Sequence, residues 1–203
     1  MQSTQIIIFQ IIVLIFSAII HEYMHGWMAD RLGDPTAKNA GRLTLNPIPH
    51  IDIFGSILLP FLLIFSGAGF VFGWAKPVPY NPYNLRDAKY GSAKVAAAGP
   101  LGNLIVALFF GMILRVFPII SPQLIVFLQI IIFINLLLMV FNLVPIPPLD
   151  GSKVLAPFLP RSWQLKFTSM ERYGMIIVIL FIMIGFQIII PIINFLFTLI
   201  VGI

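Results

Sequence analysis

Long apolar runs separated by short polar stretches organise this chain. The first run covers residues 6–29: Ile6 to Ile20 is almost unbroken apolar sequence, and Asp30, Arg31, Gly33, Asp34 and Pro35 end it. About 20 apolar residues cross a bilayer as a helix, so the pattern predicts a membrane span closed by good stop signals. Residues 36–52 are polar and mixed. Within them Gly41-Arg42-Leu43-Thr44-Leu45-Asn46-Pro47 alternates apolar and polar positions and ends in turn residues, which predicts a short strand. Residues 53–72 are apolar again, but Gly55, Ser56, Pro60, Gly67 and Gly69 interrupt them. That predicts a broken or re-entrant segment whose backbone is buried by protein. Residues 73–94 carry Lys76, Arg86, Lys89, Lys94 and three prolines, and read as a surface loop that could join a small sheet. Residues 95–117 form the next span. It opens with Ala96-Ala97-Ala98-Gly99-Pro100-Leu101-Gly102-Asn103, small residues suited to close helix packing. Ser121-Pro122 makes a turn, and residues 124–143 form a further span. Residues 152–172 read as a loop. The last apolar stretch, 175–203, is long for one span; Gln187 and Pro191 predict a kink, with a tight hairpin as the alternative.

The predicted fold class is therefore an all-α multi-pass membrane protein. It has about four transmembrane helices, a re-entrant or broken segment at 53–72 and short membrane-associated β-strands. One integral-membrane domain over 1–203 is expected, with a catalytic core at about 5–155 and one or two C-terminal spans at 173–203.

Composition agrees with the pattern. Charged residues make up 9% of the chain and hydrophobic ones 60%, against about 25% charged in soluble domains. There is no cysteine, so disulfides and thiolate metal sites are excluded and His, Asp and Glu remain as ligands. The net charge of +5 fits basic cytoplasmic loops. The Lys and Arg are scattered between apolar segments, which argues against nucleic-acid binding. The N-terminus lacks the basic region of a cleaved signal peptide.

The candidate chemistry sits in the last turns of the first span, at His21-Glu22-Tyr23-Met24-His25. Two of the three His and one of the two Glu in the chain fall in these five residues. On a helix, positions i and i+4 share a face, so both imidazoles can grip one metal ion. Glu22 is left free to act on a water molecule, the layout of a helical zinc-protease motif. Histidines in a soluble helix are often ordinary hydrogen-bonding groups. Within a membrane span, ionisable residues are costly and mark function.

A catalytic zinc site takes three protein ligands. Asp30, Asp34, His50, Asp52, Asp87, Asp150 and Glu171 are the candidates for the third, besides Glu22. Asp150 is the best placed. It follows Pro145, Pro147 and Pro148, which remove three backbone donors, and it precedes Gly151, which permits backbone shapes other residues resist. An Asp that merely caps a new helix is an equally good reading of these residues. His50 and Asp52 are read as loop-orienting groups rather than a second metal site.

The pair HEYMH and NLVPIPPLDG resembles the site-2 protease family of intramembrane zinc metalloproteases. GRLTLNPIPHIDIFGSILLP, GWAKPVPYNPYNLR and AGPLGN are similar to its compact bacterial members, and together these stretches cover most of residues 15–155. The resemblance implies one Zn2+ per chain held by His21, His25 and Asp150, with Glu22 as the catalytic base. It links Asn103 and Asn142 to the substrate groove or oxyanion region. No segment resembles the PDZ or CBS domains of larger members, so a separate regulatory membrane protein is an expected partner. The implied activity is hydrolysis of peptide bonds in or near transmembrane segments of membrane proteins, at a cell membrane and in a bacterium. A non-proteolytic zinc-binding scaffold or a metal transporter is the alternative.

This chemistry constrains topology. The histidines lie at the C-terminal end of the first span and Asp150 lies just past the end of the 124–143 span. For them to share a metal, an even number of crossings must separate them. The spans at 95–117 and 124–143 supply two, so residues 53–72 are expected to enter and return or to lie within one leaflet. The loops at 30–52, 73–94 and 144–172 then face one side and hold 11 of the 12 Lys and Arg. The positive-inside rule makes that side cytoplasmic. A substrate helix must unwind before cleavage, and the stretches at 41–60 and 73–82 could hold it extended by strand addition.

Overall fold

A computed structural model describes residues 4–58, 61–62, 65, 75–117 and 121–202. Helix α1, Thr4–Arg31, contains the first apolar run. A short α2, Thr36–Asn39, follows. Then come α3, Gly91–Val116, and α4, Pro122–Leu143, whose N-terminus is capped by the Ser121 hydroxyl accepting from the Leu124 N–H. Helix α5, Asp150–Leu155, and helix α6, Arg161–Met170, lie after the proline-rich turn. Helix α7, Gly174–Leu180, leads through a π-helical turn, Phe181–Gly185, into α8, Phe186–Val201. Among the described residues four helical stretches are long and apolar enough to cross a membrane: Thr4–Arg31, Gly91–Val116, Pro122–Leu143 and Arg161–Val201.

Helices α1, α3 and α4 pack together around small residues. A Cβ at Gly102 of α3 would come within 2.6 Å of Met24 Cγ on α1. This is the close approach expected of the Ala-Gly run that opens α3. Ala107, Ile132, Leu136, Ile189 and Ile193 form the apolar core between α3, α4 and α8. The faces turned away from this core are exposed apolar side chains, among them Ile8, Ile11, Ile15, Ile105, Phe109 and Ile184. Such surfaces suit lipid. At one end of the bundle, Arg115 of α3 donates to the Leu199 and Ile200 carbonyls of α8. At the other, the end of α1 meets the start of α3.

Two expectations need correction. No strand occurs among the described residues. In residues 41–47 the alternating pattern serves local turns instead. The Thr44 hydroxyl accepts from the Asn46 N–H and the Asn46 side chain accepts from the Ile48 N–H, bonds that compete with a ladder. The backbone link from 75–81 goes instead to His50, beyond this segment, from the Lys76 N–H to the His50 carbonyl at 2.9 Å. Pro77 and Pro79 cannot extend it into a ladder. Second, residues 152–172 are mostly helical rather than a loop, with Pro157 and Pro160 dividing the helices. The last apolar stretch runs helically from Gly174 to Val201, with a π-helical turn at Phe181–Gly185 and Pro191 inside α8, as the one-span reading expected and not as the alternative hairpin. The re-entrant reading of 53–72 lies largely outside the described residues, of which Ile53–Leu58 form a π-helical turn.

Candidate metal centre

His21 and His25 project from one face of α1, their rings edge to face with centroids 4.6 Å apart. Asp150 reaches them from the first turn of α5. The chain leaves α4 through a turn closed by Ile146 N–H to Val144 carbonyl and Leu149 N–H to Ile146 carbonyl. Gly151 then sits so close to the Leu143 carbonyl that a Cβ would be 2.2 Å from its oxygen. Gly151 does not have a positive φ; among the described residues the positive-φ glycines are Gly33, Gly41 and Gly202. Glycine is needed for space. Asp150 Oδ2 lies 3.0 Å from His21 Nε2 and 3.2 Å from His25 Nε2. One ligand atom from each of the three residues falls within 4.8 Å of the others. Helix α3 backs the cluster: a Cβ at Gly99 would be 2.5 Å from His25 Nε2 and 2.7 Å from His21 Nε2.

The surrounding hydrogen bonds fix the tautomers. His25 Nδ1 lies 2.8 Å from the Val95 carbonyl, which can only accept. His21 Nδ1 lies 2.7 Å from Asn103 Oδ1. The orientation of Asn103 follows from its other end, where Nδ2 donates to the Ser17 carbonyl and to Asn135 Oδ1. Asn135 in turn donates to the Ser17 hydroxyl and the Ile131 carbonyl. Asn103 and Asn135 are wholly buried and Ser17 nearly so. Each imidazole therefore donates from Nδ1 and, in its neutral form, turns a lone pair at Nε2 toward Asp150. With both imidazoles neutral, a cation among the two lone pairs and the carboxylate oxygen would satisfy all three. Two imidazoles, a carboxylate and partners on the outer ring nitrogens are the donor set and support that Zn2+ favours.

Glu22, half-buried beside this cluster, takes no part in it. Its Oε2 accepts from the Val78 N–H at 2.8 Å. Asn142 lies on the last turn of α4, half-buried, and donates to the Leu138 carbonyl. His50 is buried and its Nε2 donates to the Thr44 carbonyl. Asp52 accepts from the Gly55 N–H. Both thus hold their loop, and among the described residues no other His, Asp or Glu joins the three-residue cluster. Asp34, at the end of α1, is fully buried. It accepts from Thr36, from the Asn81 N–H at 2.6 Å and from Asn84 Nδ2 at 2.9 Å. Burial pushes the Asp34 carboxyl up, but these hydrogen bonds outweigh it and hold the group below its ordinary value. Ser17, Asn135 and Val78 are the residues around the centre that the sequence reading missed. A polar side chain in the middle of an apolar span was the available signal for the first two.

The comparisons agree with the geometry. The family model described as "Peptidase family M50" matches residues 117–185, which include Asp150. A protein of Bacillus subtilis named "Putative zinc metalloprotease YwhC" is 40% identical over 175 residues, covering 82% of this chain and 76% of its own length. The chain belongs to peptidase family M50. "Putative zinc metalloprotease Rip2" of Mycolicibacterium smegmatis is 34% identical, covering 81% of this chain and 62% of its own length. "Putative zinc metalloprotease MJ0611" of Methanocaldococcus jannaschii is 32% identical, covering 74% of this chain and 75% of its own length. No solved structure matches. The M50 match and the three-donor cluster agree on the site-2 protease type of peptidase.

Proposed function

We propose that this M50 chain is an intramembrane zinc metalloprotease that hydrolyses peptide bonds in or next to the transmembrane segments of other membrane proteins. The observation that carries the reading is the convergence of His21, His25 and Asp150 at the end of a membrane span, beside a carboxylate that is not part of the cluster. His21 and His25 would hold one Zn2+ through Nε2 and Asp150 through its carboxylate. Bound zinc supplies Lewis acidity, which polarises the scissile carbonyl and makes water a stronger acid. Glu22 takes the proton of the attacking water and returns it to the leaving amine. Asn103 orients His21, a role supported by its complete burial and by the bond to Nδ1. Asn142, half-buried at the end of α4, lines the groove where the substrate lies. The amides of a substrate helix are bonded within the helix, so the substrate unwinds locally before attack.

The catalytic core occupies about residues 5–155 of a single domain over 1–203, and the helices at 173–203 complete the bundle. The basic loops that follow α1 and surround Asp150 favour a centre near the cytoplasmic face of a bacterial cell membrane. A separate membrane protein would regulate access to it.

The test is purification in detergent, metal analysis and cleavage of a reporter transmembrane substrate, wild type against Glu22→Gln. Zinc in both proteins and cleavage by the wild type alone is the expected result, with a loss of at least ~10²-fold on removing the base. Equal cleavage by both would remove Glu22 from the mechanism.

A further inference from the structure

Residues 75–81 run as an extended strap across the end of α1. Val78 is the one residue in 77–79 with a backbone N–H, because both neighbours are proline. The proline that follows also holds Val78 in the extended region. That single N–H is the group bonded to Glu22 Oε2 at 2.8 Å. The strap is pinned independently of Glu22. Arg42, buried to 8% exposure, donates from Nη2 to the Lys76 carbonyl at 2.7 Å and the Pro77 carbonyl at 3.4 Å. The Lys76 N–H donates to the His50 carbonyl. Downstream, the Asn81 N–H is held by Asp34. The Val78 side chain packs on Gly26, where an added Cβ would be 2.8 Å from Val78 Cγ1.

A glutamate on a helix end turns freely about its side-chain bonds, and its carboxylate can rotate away from a water molecule. A fixed donor on one oxygen removes that freedom and leaves the other oxygen available. We propose that the Val78 N–H is a positioning group for the reaction. It fixes the Glu22 carboxylate through Oε2 so that Oε1 is presented to the attacking water. Arg42, through the Lys76 and Pro77 carbonyls, is the positioning residue that keeps this N–H in place. The inference rests on Glu22 being the general base. It adds to that reading a main-chain partner and the side chain that supports it.

Two substitutions separate the donor from the packing. Val78→Pro removes the N–H and keeps an extended backbone; Val78→Ala removes packing and keeps the N–H. In the full chain in detergent, kcat for Val78→Pro should fall at least about tenfold below that of Val78→Ala, with KM within about threefold, since small misplacements of a catalytic group cost on the order of 10²-fold. Arg42→Gln should lower kcat in the same direction, and zinc content should be equal in all. Amide hydrogen exchange gives a readout that needs no activity, because the difference between overlapping peptides that end before and after Val78 isolates the one N–H in 77–79. In Glu22→Ala, exchange at Val78 should quicken by about tenfold, with or without zinc, as expected for loss of a bond to a charged acceptor.

Val78→Pro that cleaves as well as Val78→Ala, or better, would overturn the proposal, the latter by making the strap an inhibitory lock. Unchanged Val78 exchange in Glu22→Ala would overturn it as well. Failure of the general-base reading looks different: Glu22→Gln cleaves like wild type while Val78 exchange still responds to Glu22→Ala.

Discussion

At the scale of single residues, the metal centre depends on one position with no side chain. Gly99 faces both imidazoles, and a methyl there would be 2.5 Å from His25 Nε2, the atom offered to the metal. The rings cannot swing aside without breaking the Nδ1 bonds to Asn103 and Val95. Gly99→Ala should therefore weaken zinc binding by roughly 10–100-fold, the range seen when support of a ligating His is lost. Gly102→Ala is the comparison. There the methyl meets Met24 Cγ, an unbranched side chain that adapts, so zinc affinity should stay within a few-fold of wild type. Chelator competition measures both, and equal affinities for the two variants would show that Gly99 is not the limiting contact. The residues of the centre differ in how far the sequence announced them. His21, Glu22 and His25 are spaced by the local geometry of one helix, so five consecutive residues sufficed. Asp150 is joined to them only by the packing of α1 against the turn after α4. Its residues left a helix cap equally open, and it does in fact begin helix α5. The Val78 N–H carries no side-chain signature at all, and only the prolines on either side mark it.

At the scale of elements, the polar segments carry more structure than their patterning shows. Residues 41–47 alternate like a strand, yet their polar side chains close turns on their own backbone. Periodicity cannot separate these cases, because a period of two is also what successive side-chain-to-backbone turns produce. Residues 152–172 lack an apolar face long enough to announce a helix; their helices are short, and α6 is mostly exposed. Asp34 organises this polar layer. It joins the end of α1 to the strap through Asn81, to the turn after the strap through Asn84, and to the first residue of α2 through Thr36. Its carboxyl lies below the ordinary value in the folded protein. Its stabilising contribution is thus complete above the unfolded value of about 3.9 and is lost as the pH falls through the lower folded value. Asp34→Asn should destabilise the protein by about 1–3 kcal/mol at pH 7, the cost of leaving buried donors without a charged acceptor. The gap between variant and wild type should close as the pH drops below about 4. Thermal unfolding in detergent at stepped pH measures this, and a gap independent of pH would show that the charge of Asp34 is not what holds the strap.

At the scale of the whole molecule, the shared metal cluster fixes the relative directions of the spans. The end of α1 meets Val95 near the start of α3 through His25, and the residue after the α4 turn meets α1 through Asp150. Helices α3 and α4 therefore make one excursion across the bundle and back. The ends of α3 and α8 meet at the far side through Arg115. The out-and-back course of α3 and α4 follows the constraint that ligand convergence puts on crossing number, while the re-entrant expectation for 53–72 lies largely outside the described residues. Arg115 is also the one cation of 12 outside the three loops. Its guanidinium binds the last carbonyls of α8, where a helix end attracts positive charge. The exception to the charge asymmetry thus has a local partner, and the remaining 11 cations fall in the three loops that the sequence reading expects on one side. The absence of native cysteine allows this to be tested with single substitutions at exposed positions. Lys38→Cys, beside the metal end, should resist an impermeant thiol reagent added to intact cells, and Gln123→Cys, at the start of α4, should react. Labelling of Lys38→Cys alone would invert the protein and move the metal centre to the outer face. Labelling of both from outside would break the even-crossing arrangement that the cluster requires.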